Sequence, residues 1–399
     1  MDSHPLGIGI IGAGQIIKRH ALAYRSLPDL ARLVAVAEID PKRAEEAKKR
    51  YRFQRTYTNY ADLLACKDID AVSICTPAAS HAAIVIDAIR AGKHVLCEKP
   101  MATTLADADR IIAAAQDHPK SAVSCVFQLR NDPTHQRMRW MIEQGYIGKV
   151  LFAKVCVRLR KSRGYYQSAP GRGSYKSDGG GVVINQAIHQ IDALLSLLGE
   201  PVAVSAVMDT FVHPIEAEDT LVGWIRFAGG AIATVECSTC AKRKEFSIDI
   251  VGEHAGMRVS GDPDSQRFDW RVDVAGSAAK RALRSAGLRR FPDPRDPKPW
   301  TVVAEKLLAA ITRRDRLPPS DRGHAPLIRE FLESARAGQP GPIPPQEARR
   351  SLELTMALYE SARTQRVVDL PLDPCCGLYD GVDGESKTAS KKEVQSVAS

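Results

Sequence analysis

No stretch of the chain approaches the roughly 20 consecutive apolar residues of a membrane-crossing helix. Nor does Met1–Gly7 place a basic segment ahead of an apolar one, so neither an anchor nor a secretory leader is expected. Disulfide spacing is missing too. The nine cysteines are odd in number and scattered, which fits reduced thiols and a cytoplasmic address. Cys237-Ser-Thr-Cys240 is the one CxxC, and neither a second pair nor nearby histidines accompany it; Cys375-Cys376 are a poor match, so no metal site is expected. Aromatic residues make up 6% of the chain. In Arg267–Arg316, thirteen Lys or Arg stand against six Asp or Glu without a recognition motif, which argues against a nucleic-acid reader. That segment is expected to be a solvated basic insertion; the alternative is a field that draws in a phosphate-bearing substrate. Internal repeats are absent.

What is present is ample core material, 44% hydrophobic against 26% charged, in 399 residues, too long for one ordinary domain. The first part alternates strand and helix. Leu6–Ile11 is an apolar run closing on Gly12-Ala13-Gly14, with a helical pattern through Ile17, Ala21 and Tyr24. Bare backbone at Gly12 and Gly14 lets a pyrophosphate approach the positive end of that helix. Ile17 stands where a third glycine would allow closer helix–strand packing. The next strand, Leu33–Ala37, ends at Glu38, whose carboxylate would accept from a ribose 2′-hydroxyl and repel a 2′-phosphate. NAD is therefore expected over NADP, with Lys42 and Arg43 leaving the second open. Further strands are expected at Ala71–Cys75, Val95–Cys97 and Ala122–Phe127. Helices are expected at Ala82–Arg90, capped by Ser80 and ended by Gly92, and from Thr104 to Gln116. Val95–Cys97 delivers Glu98, Lys99 and Pro100 at its carboxyl end, where open parallel sheets bind ligands. The first domain is read as 1–130, with six strands.

The second domain, 131–372, changes texture. Val150–Arg160 alternates as one long strand. Tyr165–Gly181 is a Gly-, Ser- and Tyr-rich loop that reads as a cover over a site, with Arg172 in it. Val183–Leu198 carries an apolar stripe at helical spacing. At about 100° per residue, Asn185, His189, Asp192 and Ser196 share one polar arc beside that stripe. Strands at Val202–Met208, Thr220–Phe227, Ala231–Ser238, Phe246–Val251 and Met257–Ser260 imply a mostly antiparallel sheet whose outer face could pair subunits as a homo-oligomer, dimer or tetramer. Helices follow at about Val302–Ile311, Ala325–Ala337 and Gln346–Thr364, the last of them able to pack back on the first domain. The residues from Asp373 onward read as a disordered tail.

These residues resemble the Gfo/Idh/MocA oxidoreductases over about residues 6–372. The resemblance rests on Gly12-Ala13-Gly14-Gln15-Ile16 with His20, Cys75-Thr76-Pro77 with His81, and Glu98-Lys99-Pro100. It extends to Phe127-Gln128-Leu129-Arg130, Gly179-Gly180-Gly181 followed by Asn185 and His189, and Ala357–Ser361 with Leu370-Pro371-Leu372. It implies an α/β protein: a doubly wound Rossmann sheet joined to an α/β domain with an open, mostly antiparallel sheet. It also implies NAD(P) and hydride transfer to or from sugars and cyclitols. The remaining cofactor contacts would be Gln15, Ile16, Thr76, Pro77, His81, Glu98 and Gln128, often with a cis Lys-Pro bond. His189 would be the acid/base residue. Ile17, and Asn185 where many members have Asp, depart from the pattern.

Oxidising a secondary alcohol requires a proton acceptor near neutral pH, which Asn185 cannot be. Holding an ordinary lysine neutral at pH 7 costs about 4–5 kcal/mol, whereas an ordinary histidine is already mostly neutral. His189 is therefore expected to be the base, Lys99 to stabilise developing alkoxide, and Asn185 to orient the substrate. Arg130, Arg172 and Asp192 are candidate substrate contacts. The expected substrate is a sugar, glycoside, cyclitol or nucleotide sugar. Two other readings stay open: a glycoside hydrolase using transient oxidation by tightly held NAD, and a non-catalytic nucleotide-binding protein.

Overall fold

Parallel strands buried on both faces account for the apolar runs of the first half. In the computed structural model, which describes residues 4–169, 171–262, 267–274 and 324–381, β1 (Leu6–Ile11), β2 (Ala31–Ala37), β3 (Arg55–Tyr57), β4 (Ala71–Ile74), β5 (His94–Cys97) and β6 (Val123–Cys125) form one sheet. Its order is β3-β2-β1-β4-β5-β6, with every pair parallel. Ile8, Ile10, Val34, Val36, Val72, Ile74, Val95 and Leu96 are wholly buried. The short β3 has no apolar run to mark it in the sequence.

The intervening helices are α1 (Ile17–Arg25), α2 (Pro41–Tyr51), α3 (Tyr60–Leu64), α4 (His81–Arg90) and α5 (Leu105–Asp117). Thr104 caps α5 by accepting from the Asp107 amide. Ser80 does not cap α4 as expected: its hydroxyl donates to Thr76 Oγ1 and the Pro77 carbonyl, because a 3-10 turn at Ala78–Ser80 leads into the helix.

After α6 (Pro133–Glu143), β7 (Val150–Arg160) leads into two short helices, α7 (Arg163–Gln167) and α8 (Tyr175–Asp178). A π-helical turn at Val183–Ala187 then runs into α9 (Ile188–Leu198). The second sheet comprises β7, β8 (Pro201–Asp209), β9 (Thr220–Phe227), β10 (Ile232–Ser238), β11 (Cys240–Gly252), β12 (Ala255–Asp262), β13 (Arg267–Val274) and β14 (Val368–Asp369). Its order is β13-β12-β11-β7-β10-β9-β8-β14, and among the described residues β7–β10 is the one parallel pair. β13 corrects one expectation: the basic insertion begins as an edge strand. The helix expected near 302–311 lies outside the described residues.

By length and mean hydropathy alone the stretch Tyr175–Leu198 resembles a membrane-crossing helix, although polar residues interrupt it throughout. Its apolar window is 72% buried, however, with Ile184, Ile188, Ile191 and Leu195 in the core, which makes it a core helix.

The chain finally returns to the first sheet. α10 (His324–Ala337) packs on α1, and α11 (Pro345–Thr364) packs on α5, β6, α9 and β8. The Cys125 amide donates to the Ile343 carbonyl (2.9 Å), and the Ile343 amide to Ser124 Oγ (3.1 Å). Residues 373–381 of the expected disordered tail are instead placed against the fold, and 382–399 lie outside the described residues. Leu378 is buried, and the Tyr379 carbonyl accepts from the Leu105 and Ala106 amides, two of the first-turn donors that a helix cannot satisfy internally.

Candidate active site

Register brings the carboxyl ends of the first sheet level. Ile11 lies beside Ala37 and Ile74, Ile74 beside Cys97, and Cys97 beside Cys125. The residues that follow these strands, Gly12, Glu38, Thr76-Pro77, Glu98-Lys99 and Gln128, therefore share one edge, with the order reversal between β1 and β4 at its centre.

The edge fits a dinucleotide. Gly12 has φ +97°, and a Cβ there would lie 2.7 Å from the Cys75 carbonyl oxygen, so only glycine closes the turn. A Cβ on Gly14 would meet nothing nearer than 4.0 Å, which leaves open space over the turn. No side chain caps α1, so the partially positive amino-terminal end of the helix meets the glycine turn directly. Gln15 is exposed and Ile16 half-buried at this turn, while Ile17 is buried in the core instead of facing the ligand. Glu38 accepts from the Ala13 amide (2.8 Å), and Arg43 lies 3.5 Å from it. Ile39 beside it is 88% exposed, an apolar surface at the adenosine end that pattern reading passed over. Gln128 Oε1 and His189 Nδ1 are both buried without a hydrogen-bond partner among the described residues, which a bound polar group would supply.

Two residues expected at the cofactor instead support the wall behind it. His81 Nδ1 lies 2.8 Å from the Pro100 carbonyl oxygen and Nε2 2.9 Å from that of Thr76, tying the Thr76-Pro77 turn to the Lys99-Pro100 turn. Burial holds this imidazole below its usual range. Glu98 is buried and faces His20 Nε2 at 2.8 Å and His324 Nε2 at 3.8 Å. Burial opposes the Glu98 charge, but the hydrogen bond with His20 and the charge of the two histidines outweigh it and hold the carboxyl well below the ordinary range. His20, despite its burial, is raised to about 9 by its neighbours Cys75 and Glu98. Donor atoms of His20, Glu98 and His324 lie within 4.8 Å of one another, a spacing a metal could use. Both His20 nitrogens are already engaged, however, Nδ1 with Ser73 Oγ and Nε2 with Glu98, so the set reads as a buried ion pair.

Lys99, just before the cis Lys99–Pro100 bond, reaches the second domain. Its ammonium donates to the Asn185 carbonyl oxygen at 2.7 Å, one turn before His189. Burial lowers the basicity of Lys99. Burial and then the Lys99 charge hold His189 well below the usual imidazole range, so it is neutral at pH 7. The Asn185 side-chain Nδ2 donates to the Gly180 carbonyl (2.9 Å). Asn185 thus fixes the glycine turn and Lys99, a positioning task in place of the expected substrate contact.

The turn itself is held from across the fold. Glu218 accepts from the Gly181 (2.8 Å) and Val183 (2.9 Å) amides and from the Tyr359 hydroxyl (2.8 Å), and burial raises it to about 7. A Cβ on Gly181 would fall 1.7 Å from the Glu218 carbonyl oxygen. Neither Glu218 nor Tyr359 was singled out as a site residue by sequence reasoning, since each is meaningful only through a partner distant in the chain.

The π turn also divides the expected polar arc. Asn185 and His189 stand beside Lys99. Asp192 is fully buried in a bidentate pair with Arg130 (2.8 Å to each carboxylate oxygen), and Ser351 also donates to it (2.9 Å). Ser196 Oγ meets His135 Nε2 at 2.8 Å. Arg130 and Asp192 thus join the domains instead of lining the cleft. The loop expected as a cover is tied to the turn before His189: the Arg172 guanidinium rests 4.6 Å from the Tyr165 ring centre, and Tyr165 Oη accepts from Gln186 Nε2 at 3.1 Å. Asp178, unmarked in the sequence, is near enough to Lys99 and Arg172 for their charges to act on it.

Against known proteins, residues 6–125 match the family model described as "Oxidoreductase family, NAD-binding Rossmann fold", and residues 135–258 match the GFO/IDH/MocA C-terminal domain. The chain is 31% identical over 309 residues to levoglucosan dehydrogenase of Pseudarthrobacter phenanthrenivorans, covering 69% of this chain and 78% of that protein. It is 29% identical to myo-inositol 2-dehydrogenase of Thermotoga maritima, over 91% of this chain and 98% of the other. The WlbA dehydrogenase of Bordetella pertussis, solved with NADH and UDP-GlcNAcA, superposes with a TM-score of 0.77 at 29% identity, over 94% and 100% of the two chains. With the glycine turn, the Glu98-Lys99-Pro100 edge and the His189 helix assembled as described, the chain belongs to the Gfo/Idh/MocA family and is an NAD-linked oxidoreductase acting on CH–OH groups.

Proposed function

We propose that the protein interconverts a secondary alcohol and a ketone of a sugar, glycoside, cyclitol or nucleotide sugar, with His189 as acid/base and Lys99 stabilising the reacting oxygen. The observation that carries this reading is the meeting of Lys99, from the first domain, with the helical turn that presents His189 from the second. The substrates named for the relatives, levoglucosan, inositol and a nucleotide-linked sugar acid, support the class. NAD, held by Gly12, Gly14, Gln15, Ile16, Glu38, Thr76, Pro77 and Gln128, supplies the hydride acceptor in the oxidation direction. The protein's own work is on the proton. Neutral His189 takes it from the hydroxyl, and the Lys99 ammonium, with donors beyond the one given to Asn185, stabilises charge growing on the oxygen. Arg172 borders the substrate.

We also infer a homo-oligomer built through the second sheet. Phe152 on its outer face registers with both Ile232 and Val251, and all three are exposed. The nine free thiols agree with a reducing, cytoplasmic setting.

Mass spectrometry of the native protein for retained nicotinamide, followed by a screen of sugars, glycosides, cyclitols and nucleotide sugars, tests the reading. Net formation of reduced nicotinamide is expected. Sugar release without it would favour a hydrolase working by transient oxidation, and cofactor binding without turnover on any of them would sink the enzymatic reading. Glu38→Gln is expected to erode the preference for NAD over NADP by roughly tenfold, about 1.4 kcal/mol, through Arg43 beside it. The kcat/KM ratio for the two cofactors measures it, and an unmoved ratio would place discrimination elsewhere.

A further inference from the structure

Above the Lys99–His189 pair, positive charge gathers on one ring. The Lys161 ammonium lies 4.4 Å and the Arg172 guanidinium carbon 4.6 Å from the centre of the Tyr165 ring. That ring is fixed to the catalytic helix by Gln186, the residue after the Asn185 whose carbonyl holds Lys99. Arg172 is further pinned by Ser168 Oγ (2.8 Å) and lies 3.4 Å from the Tyr165 carbonyl oxygen. Among the described residues, no carboxylate oxygen approaches Lys99, Lys161 or Arg172 within the 4.0 Å of an ion pair. Other arginines of the fold are matched: Arg130 by Asp192, Arg158 by Glu236, Arg349 by Asp109 and Glu353. The cations also sense one another. Burial and then the charges of Lys99, Lys244 and Arg172 lower the basicity of Lys161. Asp178, the carboxyl that feels Lys99 and Arg172, is itself pushed up by burial and accepts from the Gly173 amide (2.9 Å). Cations held in place without an ion-paired carboxylate, beyond the longer-range pull of Asp178 on Lys99 and Arg172, favour an anionic ligand, whose arrival relieves their repulsion.

Resting on the dehydrogenase reading above, we propose that the substrate is an anionic sugar, with its carboxylate or phosphate bound by Lys161 and Arg172 at the Tyr165 ring while its reacting hydroxyl lies at Lys99 and His189. The two cations act as specificity residues. They favour charged substrates over neutral counterparts of the same configuration.

Calorimetric binding to the NADH-saturated protein tests this with matched sets of uronates, sugar phosphates and the corresponding neutral sugars, including glucuronate, glucose 6-phosphate and glucose. At least one charged member is expected to bind tenfold or more tightly than its neutral counterpart, with the margin shrinking as salt rises. Whether the carboxylates or the phosphates lead decides between the two sources. Lys161→Gln and Arg172→Gln are each expected to reduce the charged-to-neutral ratio several-fold, with NADH affinity confirming an intact fold. Equal binding of both kinds, binding of neither, or a preference that survives the double substitution would overturn the proposal. Turnover is read separately: reduction of NAD by neutral sugars alone would sink the anionic preference and leave the dehydrogenase standing, whereas tight anion binding with no redox on any set member would sink the dehydrogenase reading.

Discussion

His189→Ala is expected to lower kcat for alcohol oxidation by roughly 10²–10⁴-fold while leaving NADH affinity within about twofold, since it removes a proton acceptor and no cofactor contact. The sign of the pH dependence follows from the site. Protonation of His189 stops it acting as a base, and burial with the adjacent Lys99 charge holds that protonation well below the ordinary imidazole value. The acid-side fall of kcat/KM due to this residue therefore lies below pH 6.5, and activity is not lost to His189 between pH 7 and 6.5. Stopped-flow hydride transfer and a pH profile measure both. If His189→Ala kept its rate while Lys99→Ala lost it, the two roles would be exchanged.

Asp192→Ala is expected to destabilise the protein at the low end of the roughly 3–5 kcal/mol that breaking a buried pair costs, because Arg130 keeps only the more exposed Glu347 (3.3 Å) as a carboxylate partner and Ser351 loses its acceptor. Burial raises the Asp192 carboxyl above its usual range even beside Arg130, so the intact pair contributes less than its removal costs. Urea unfolding gives the comparison. A raised KM with an unmoved unfolding midpoint would mean that Asp192 meets the substrate after all.

The dinucleotide half was the more legible part of the sequence because its signals are local. A strand, a glycine turn and a helix start within a dozen residues, and Glu38 ends the following strand. The second half depends on distant partners. The Gly179-Gly180-Gly181 turn is visible as composition, but Glu218 and Tyr359, which hold it, come from β9's approach and from α11. The π turn defeated the 3.6-residue spacing that grouped Asn185 with Asp192, since one wide turn changes which side chains share a face. The chemical identity of Arg130 and Asp192 could not distinguish a ligand contact from an ion pair; only the bidentate geometry does. Asp178 went unmarked because a lone aspartate in a glycine-rich loop looks like solvent-facing punctuation.

The return of α10 and α11 to the first sheet has a consequence for modularity. Arg336 donates to the His4 and Asp29 carbonyls, Ile343 completes the β6 edge, and Tyr379 covers the start of α5. The nucleotide-binding module is therefore discontinuous along the polypeptide, its last layer supplied by the final portion of the described chain. No single cut near residue 130 releases it whole, and a chimera that exchanged only the leading segment would inherit a mismatched seam along its helical flank.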